Sequence, residues 1–175
     1  MTRMTTAERT VPPTVADERT MLESWLEFHR ETLAAKCAGL DEKQLREASA
    51  PPSILSLMGL VRHMADVERH WFRNILAGEA GAAQPLFWTD EEQDRDLRLT
   101  PDDSWEEAQE IWQRETGRAR EAAAGRGLDD IGAGEHHSGK RFSLRWIYVH
   151  MIEEYARHNG HADLIRERID GSTGA

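Results

Sequence analysis

Sulfur chemistry is nearly absent from this sequence. Cys37 is its one cysteine, so neither a disulfide framework nor a cysteine-ligated zinc site can form, and a reducing, cytoplasmic setting is expected. Long hydrophobic runs are missing too. No stretch approaches the roughly 20 apolar residues that span a bilayer, and the opening "MTRMTTAERTVPPTVADERT" has no apolar signal-peptide core. Neither membrane insertion nor secretion is expected. Positive charge is in deficit, with 22 Lys and Arg against 32 Asp and Glu. The resulting charge of -10 works against binding a phosphate backbone, and the six tryptophans are not interleaved with basic clusters, so nucleic acid is not an expected partner. No glycine-rich loop follows a strand, which excludes a phosphate or dinucleotide cradle.

What is present is helical periodicity. Leu22, Trp25, Leu26 and Leu33 fall at helical spacing in a first helix over Thr14 to Leu40. "DEKQLREAS" suits a short turn or helix. Ser53, after a proline pair, is the expected N-cap of a second helix that runs to about Leu76 and ends at Gly78. A long acidic, turn-rich loop follows. "TPDDS" introduces a third helix from Trp105 to about Arg126, and a fourth runs from near Ser143 to Gly171. The expectation is an all-α four-helix bundle with long connections, antiparallel and with scope for non-nearest-neighbour connectivity. Residues 1–13 are expected to be a flexible N-terminal segment and 14–175 a single domain.

Chemistry concentrates in "HMIEEYARHNGHADLIRERID", His150 to Asp170. With His150 set at 0° and about 100° per residue, Glu154 lies near 40° and His158 near 80°, among Ile147, Met151, Ala162 and Ile165. A carboxylate and an imidazole on an apolar face need a partner. Their i, i+4 spacing suits two ligands to one ion, or equally a buried ion pair. His150 and His161 are about 16 Å apart along the axis, so one ion cannot take them all. Another ligand would have to come from the second helix, where His63 sits at one edge of the apolar face, Glu68 lies inside it and His70 falls further out. His136 and His137 read as exposed loop residues, and Cys37 as a core or partly buried thiol.

The segments "LSLMGLVRHMADVERHWF", "PLFWTDEE" and "SLRWIYVHMIEEYARHNGHADLIRERIDGSTG" resemble the actinobacterial branch of the DinB-like superfamily, the mycothiol-dependent or low-molecular-weight-thiol S-transferases. The resemblance runs from the first helix to the C-terminus. It implies a DinB-like four-helix bundle, usually a homodimer, with a divalent metal held by His63, Glu154 and His158. Many members have His where Glu154 stands, whereas the related mycothiol-dependent isomerases resemble this chain in having Glu there; those isomerases carry an additional domain that a chain of this length is not expected to hold, so isomerase activity is not expected. Zinc is the expected ion, and nickel or iron would suit the same ligands.

The expected activity is metal-dependent attack of a small thiol such as mycothiol on a small electrophile. His161 would hydrogen-bond substrate or relay a proton, and Glu68 would orient a ligand. A metal-dependent hydrolase and a non-catalytic, dimeric metal-binding stress protein are the alternatives.

Overall fold

The computed structural model describes residues 9–89, 92 and 94–173. Its helices are α1 (Glu18–Cys37), α2 (Glu42–Arg46), α3 (Leu57–Glu68), α4 (Trp105–Ala123) and α5 (Leu144–Asp170). α3 continues into a π-helical segment, Arg69–Leu76. The expected all-helical bundle is what forms, and among the described residues the only β pairing is an isolated bridge between Ile131 and Ser143.

Side-chain caps fix the helix starts. Asp17 accepts from Thr20 N at 3.0 Å for α1, and Asp41 and Gln44 form a reciprocal capping box on α2. Ser104 caps α4, and Ser143 caps α5 with Trp146 N at 3.2 Å. One expected cap is displaced. Ser56, not Ser53, caps α3 by accepting from Gly59 N at 3.1 Å, whereas the Ser53 hydroxyl accepts from Leu55 N outside the helix. The proline pair lies in a turn closed by Ser53 N donating to Ala50 O at 3.0 Å, and the chain stays non-helical through Leu55, so the first helical turn opens three residues later than a cap at Ser53 would give.

Helix directions follow from which residues meet. Along α1 and α5, Glu18 pairs with Arg145, Glu23 with Tyr148, and Lys36 with Asp163, so the two run parallel. His63 faces His158, Glu68 meets Tyr155, and Phe72 packs on Tyr148, so α3 runs antiparallel to α5. Arg62 pairs with Asp103 just before α4 and Arg73 with Glu115 within it, so α3 and α4 run parallel. The order is up, down, down, up. This corrects the expected antiparallel arrangement, and it explains the length of the 77–104 connection, which must return along the whole bundle before α4 can start beside α3.

The core draws Leu26 and Leu33 from α1, Leu57, Leu60 and Met64 from α3, Ala119 from α4, and Ile147 and Met151 from α5, each at most 2% exposed. Burying each of the Leu, Ile and Met side chains contributes about 1.5–3 kcal/mol. Arg9 and Thr10 lie against α1, with Thr10 N donating to Glu31 at 2.6 Å and Arg9 over the Phe28 ring. Residues 1–8 of the expected N-terminal segment lie outside the described residues.

The π segment opens the far end of α3 to a loop. Widening the last two turns shifts side-chain directions and displaces backbone carbonyls from the regular ladder. The 131–134 loop takes up two of them, with Ala133 N donating to Leu76 O at 3.1 Å and Gly134 N to Ile75 O at 2.9 Å. A Cβ on Gly134 would collide with the Asn74 carbonyl, so the loop docks this closely only with glycine there. The same docking carries His136 and His137 onto the bundle.

Candidate metal centre

α5 presents Glu154 and His158 one turn apart, and α3, crossing in the opposite direction, brings His63 to them. One ligand atom from each of the three lies within 4.8 Å of the others. His158 Nε2 is 3.4 Å from Glu154 Oε2, and the rings of His63 and His158 are 4.7 Å apart between centroids. His158 is buried, and His63 and Glu154 are half-buried. The His158 imidazole holds the Glu154 carboxyl below its usual range, outweighing its burial, with His150 and His63 adding to the effect. Two imidazole nitrogens and an ionised carboxylate converging from two helices fit a divalent cation of the zinc type.

His63 has a partner that the helical projection did not find. Its Nδ1 lies 2.7 Å from Asp96 Oδ2, and Asp96 is itself buried and accepts from Leu97 N at 2.9 Å through Oδ1. A carboxylate on Nδ1 fixes the tautomer in which Nε2 carries a free lone pair, the usual support of a metal-binding histidine. Asp96 lies in the acidic loop, 33 residues from His63. The signal available was a run of acids, "DEEQDRD", in which nothing distinguishes one aspartate from its neighbours.

The remaining candidate residues scatter. His161 is beside the site, its Nδ1 3.4 Å from His158 Nδ1. His150 lies one turn before Glu154, 3.7 Å from its Oε1, and stacks on Trp146 with ring centroids 4.8 Å apart. Glu68 is elsewhere: its two oxygens each accept from Arg30 at 2.7 Å, and Tyr155 Oη donates to it at 2.8 Å. It faces α1, not His63. His136 is not a solvent-facing loop residue. Its ring stacks on Trp71 at 5.6 Å, because the glycine-mediated docking of the 131–134 loop presses it there. Cys37 is buried as expected, and burial pushes its thiol up to about 12, with Arg166 opposing.

Of the three ligands, His63 lines a cleft of about 380 Å³, bounded by His63 and Asp96 at one end and by Trp71, Trp88, His70 and His137 further out. A largely half-buried donor set that reaches a cleft through one of its members is the arrangement of a site that meets small molecules. Over residues 21–171 the sequence matches the model of the mycothiol-S-transferase family. The chain belongs to that family.

The mycothiol-S-transferase match runs from within α1 to the end of α5 and includes every residue of the candidate centre. No curated protein matches the chain. Among solved structures it is similar to a conserved protein of Enterococcus faecalis, with a TM-score of 0.58 at 14% identity, covering 90% of this chain and 100% of that one. That likeness concerns the fold. Among the described residues no helix is long and apolar enough to cross a membrane.

Proposed function

We propose that this member of the mycothiol-S-transferase family is a divalent-metal-dependent thiol S-transferase. The observation that carries the reading is the convergence of His63, Glu154 and His158 within 4.8 Å at the edge of the cleft. Zinc is the ion that best suits two imidazoles and a carboxylate, and nickel or iron fit the same set. A dication held there would lower the pKa of a thiol beside it, so that thiolate is available near neutral pH.

The chain's own residues supply the rest. Asp96 holds His63 with Nε2 toward the site. Glu154 supplies one negative charge to the centre, and with Asp96 behind His63 the pair offsets a dication, so the site tolerates a neutral electrophile without a large uncompensated charge. His161, against His158 and half-exposed, receives the thiol proton or passes it to solvent. A sulfur lone pair of the thiolate forms the new S–C bond, and the leaving group departs with its bonding pair. Three ligands at a cleft also favour turnover over a closed structural site, which takes four protein ligands. Mycothiol is the thiol that the family points to, and the reaction belongs in a reducing cytoplasm, with the protein a homodimer.

Two measurements test this. Metal analysis of the purified protein should find a stoichiometric divalent ion that is lost in His63→Ala and in His158→Ala; unchanged metal content in both variants would end the metal reading. The metal-loaded protein should consume mycothiol in the presence of chlorodinitrobenzene or a bimane. Absence of thiol-dependent conjugation with mycothiol and with several other small thiols would end the transferase reading.

A further inference from the structure

Trp88 is a half-buried indole on the wall of the cleft, and neither its ring face nor its indole N–H has a partner among the described residues. It is held in place by its neighbours. Asp66, buried on α3, accepts from both Leu86 N and Phe87 N, and Phe87 lies under the Arg62 guanidinium at 4.3 Å from the ring centroid. The "PLFW" segment is therefore clamped to α3, with the indole presented over the cleft. Across from it, Trp71 is packed by His136, Phe142, Trp146 and His150, so its position is fixed as well. An unstacked aromatic face held rigidly on the wall of a cleft loses little conformational entropy when a flat ring covers it.

Away from the metal centre, the described residues of the cleft offer no free charged side chain to a ligand. Both of its carboxylates are turned to protein partners, Asp66 to the 86–87 backbone and Asp96 to His63 and Leu97 N. No lysine or arginine is among the described residues lining it. Its His70 imidazole is pushed down to about 4 by burial and by His136, His137 and His150, and is neutral at physiological pH. The volume of about 380 Å³ exceeds the roughly 150 Å³ that encloses a benzene, leaving space for a substituted ring beside the thiol.

We propose that this cleft binds uncharged, planar aromatic electrophiles, with the ring stacked on Trp88 and its reactive carbon directed toward the His63 end. The inference rests on the transferase reading for the word electrophile, and on the cleft alone for the class of ligand.

Binding is measured with an unreactive probe so that the two can fail separately. Equilibrium dialysis without thiol measures 1,3-dinitrobenzene on the metal-loaded protein and, on metal-free His158→Ala where a carboxylate has no ion to ligate, compares it with its charged analogue 3,5-dinitrobenzoate. The neutral ring should bind at least about tenfold more tightly. Trp88→Ala should weaken dinitrobenzene by about tenfold, and Trp88→Phe should restore most of it. Val67→Trp, which fills the cleft from the α3 side, should abolish binding through a residue outside the 86–88 segment. Equal binding by Trp88→Ala, dinitrobenzoate as tight as dinitrobenzene, or no dinitrobenzene binding at all would each overturn the inference. Tight dinitrobenzene binding with no conjugation of chlorodinitrobenzene would overturn the transferase reading and leave the ligand class standing.

Discussion

Two buried polar groups lie within two turns of each other on the same pair of helices, and they are built on opposite rules. In the first, Glu68 of α3 is fully buried, with both oxygens on Arg30 and a third bond from Tyr155 of α5. Tyr155 Oη in turn accepts from Trp112 Nε1 at 2.9 Å, and Arg30 reaches on to Glu27. That cluster is closed. In the second, His63, Glu154 and His158 bring lone pairs together beside a cleft, and among the three the contact between His158 and Glu154 is a loose 3.4 Å, while His63 is held from behind by Asp96. Buried polar atoms that satisfy one another hold a fold together; buried polar atoms that converge without doing so require something from outside.

Removing a member of each group separates them most sharply. Glu68→Ala leaves the Arg30 guanidinium buried, 5% exposed, without its main partner. The expected cost is about 3–5 kcal/mol in urea unfolding. The metal content of the remaining folded protein should be unaffected. His158→Ala should do the reverse, costing less than about 1 kcal/mol when both proteins are unfolded with a chelator present, while abolishing metal binding. A Glu68→Ala protein as stable as the parent would dissolve the contrast.

A smaller effect is expected behind the ligand. Asp96→Asn keeps a hydrogen-bond acceptor but removes the charge facing His63, and should weaken metal binding by about 10–100-fold in competition with a chromophoric chelator. An unchanged affinity would show that Asp96 serves only the loop.

The cleft wall provides a pH test of its own. His70 has its folded-state value pushed down to about 4, first by burial and then by His136, His137 and His150. The unfolded chain binds the proton more readily, so stability present above about pH 6.5 is lost as the pH falls toward 4. The loss should be on the order of 2 kcal/mol, allowing for the partial exposure of the ring. His70→Gln should flatten the unfolding midpoint between those values; a variant with the same slope as the parent would assign the loss to other groups. Smallest of all, Cys37→Ala should leave conjugation within about twofold and cost no more than about 1 kcal/mol, and Cys37 should react with a disulfide reagent only on unfolding. Labelling of Cys37 in the native protein would contradict its burial.

The helices and the polar face of α5 were legible because both are local. Apolar spacing placed α1 and α5 within a few residues of their observed ends, and the 100° advance put Glu154 and His158 with Met151 and Ile165. Ser53 misled because two serines after a proline pair satisfy the same capping pattern, and the turn at Ala50 to Ser53 uses up the first, leaving Ser56 to cap the helix. Glu68 misled for another reason. The projection correctly buried it, but a helical wheel shows only that a side chain faces inward, not which neighbouring helix it meets.

By itself, then, the sequence determined periodic helices and an i, i+4 carboxylate and imidazole that had to find a partner. Tertiary structure decided the partners: Arg30 for Glu68, Asp96 for His63, and Trp88 for the open side of the cleft. Those choices depend on the up, down, down, up order and on a loop that crosses the whole bundle. Contacts between residues 33 and 38 positions apart are set by packing, and no local periodicity records them.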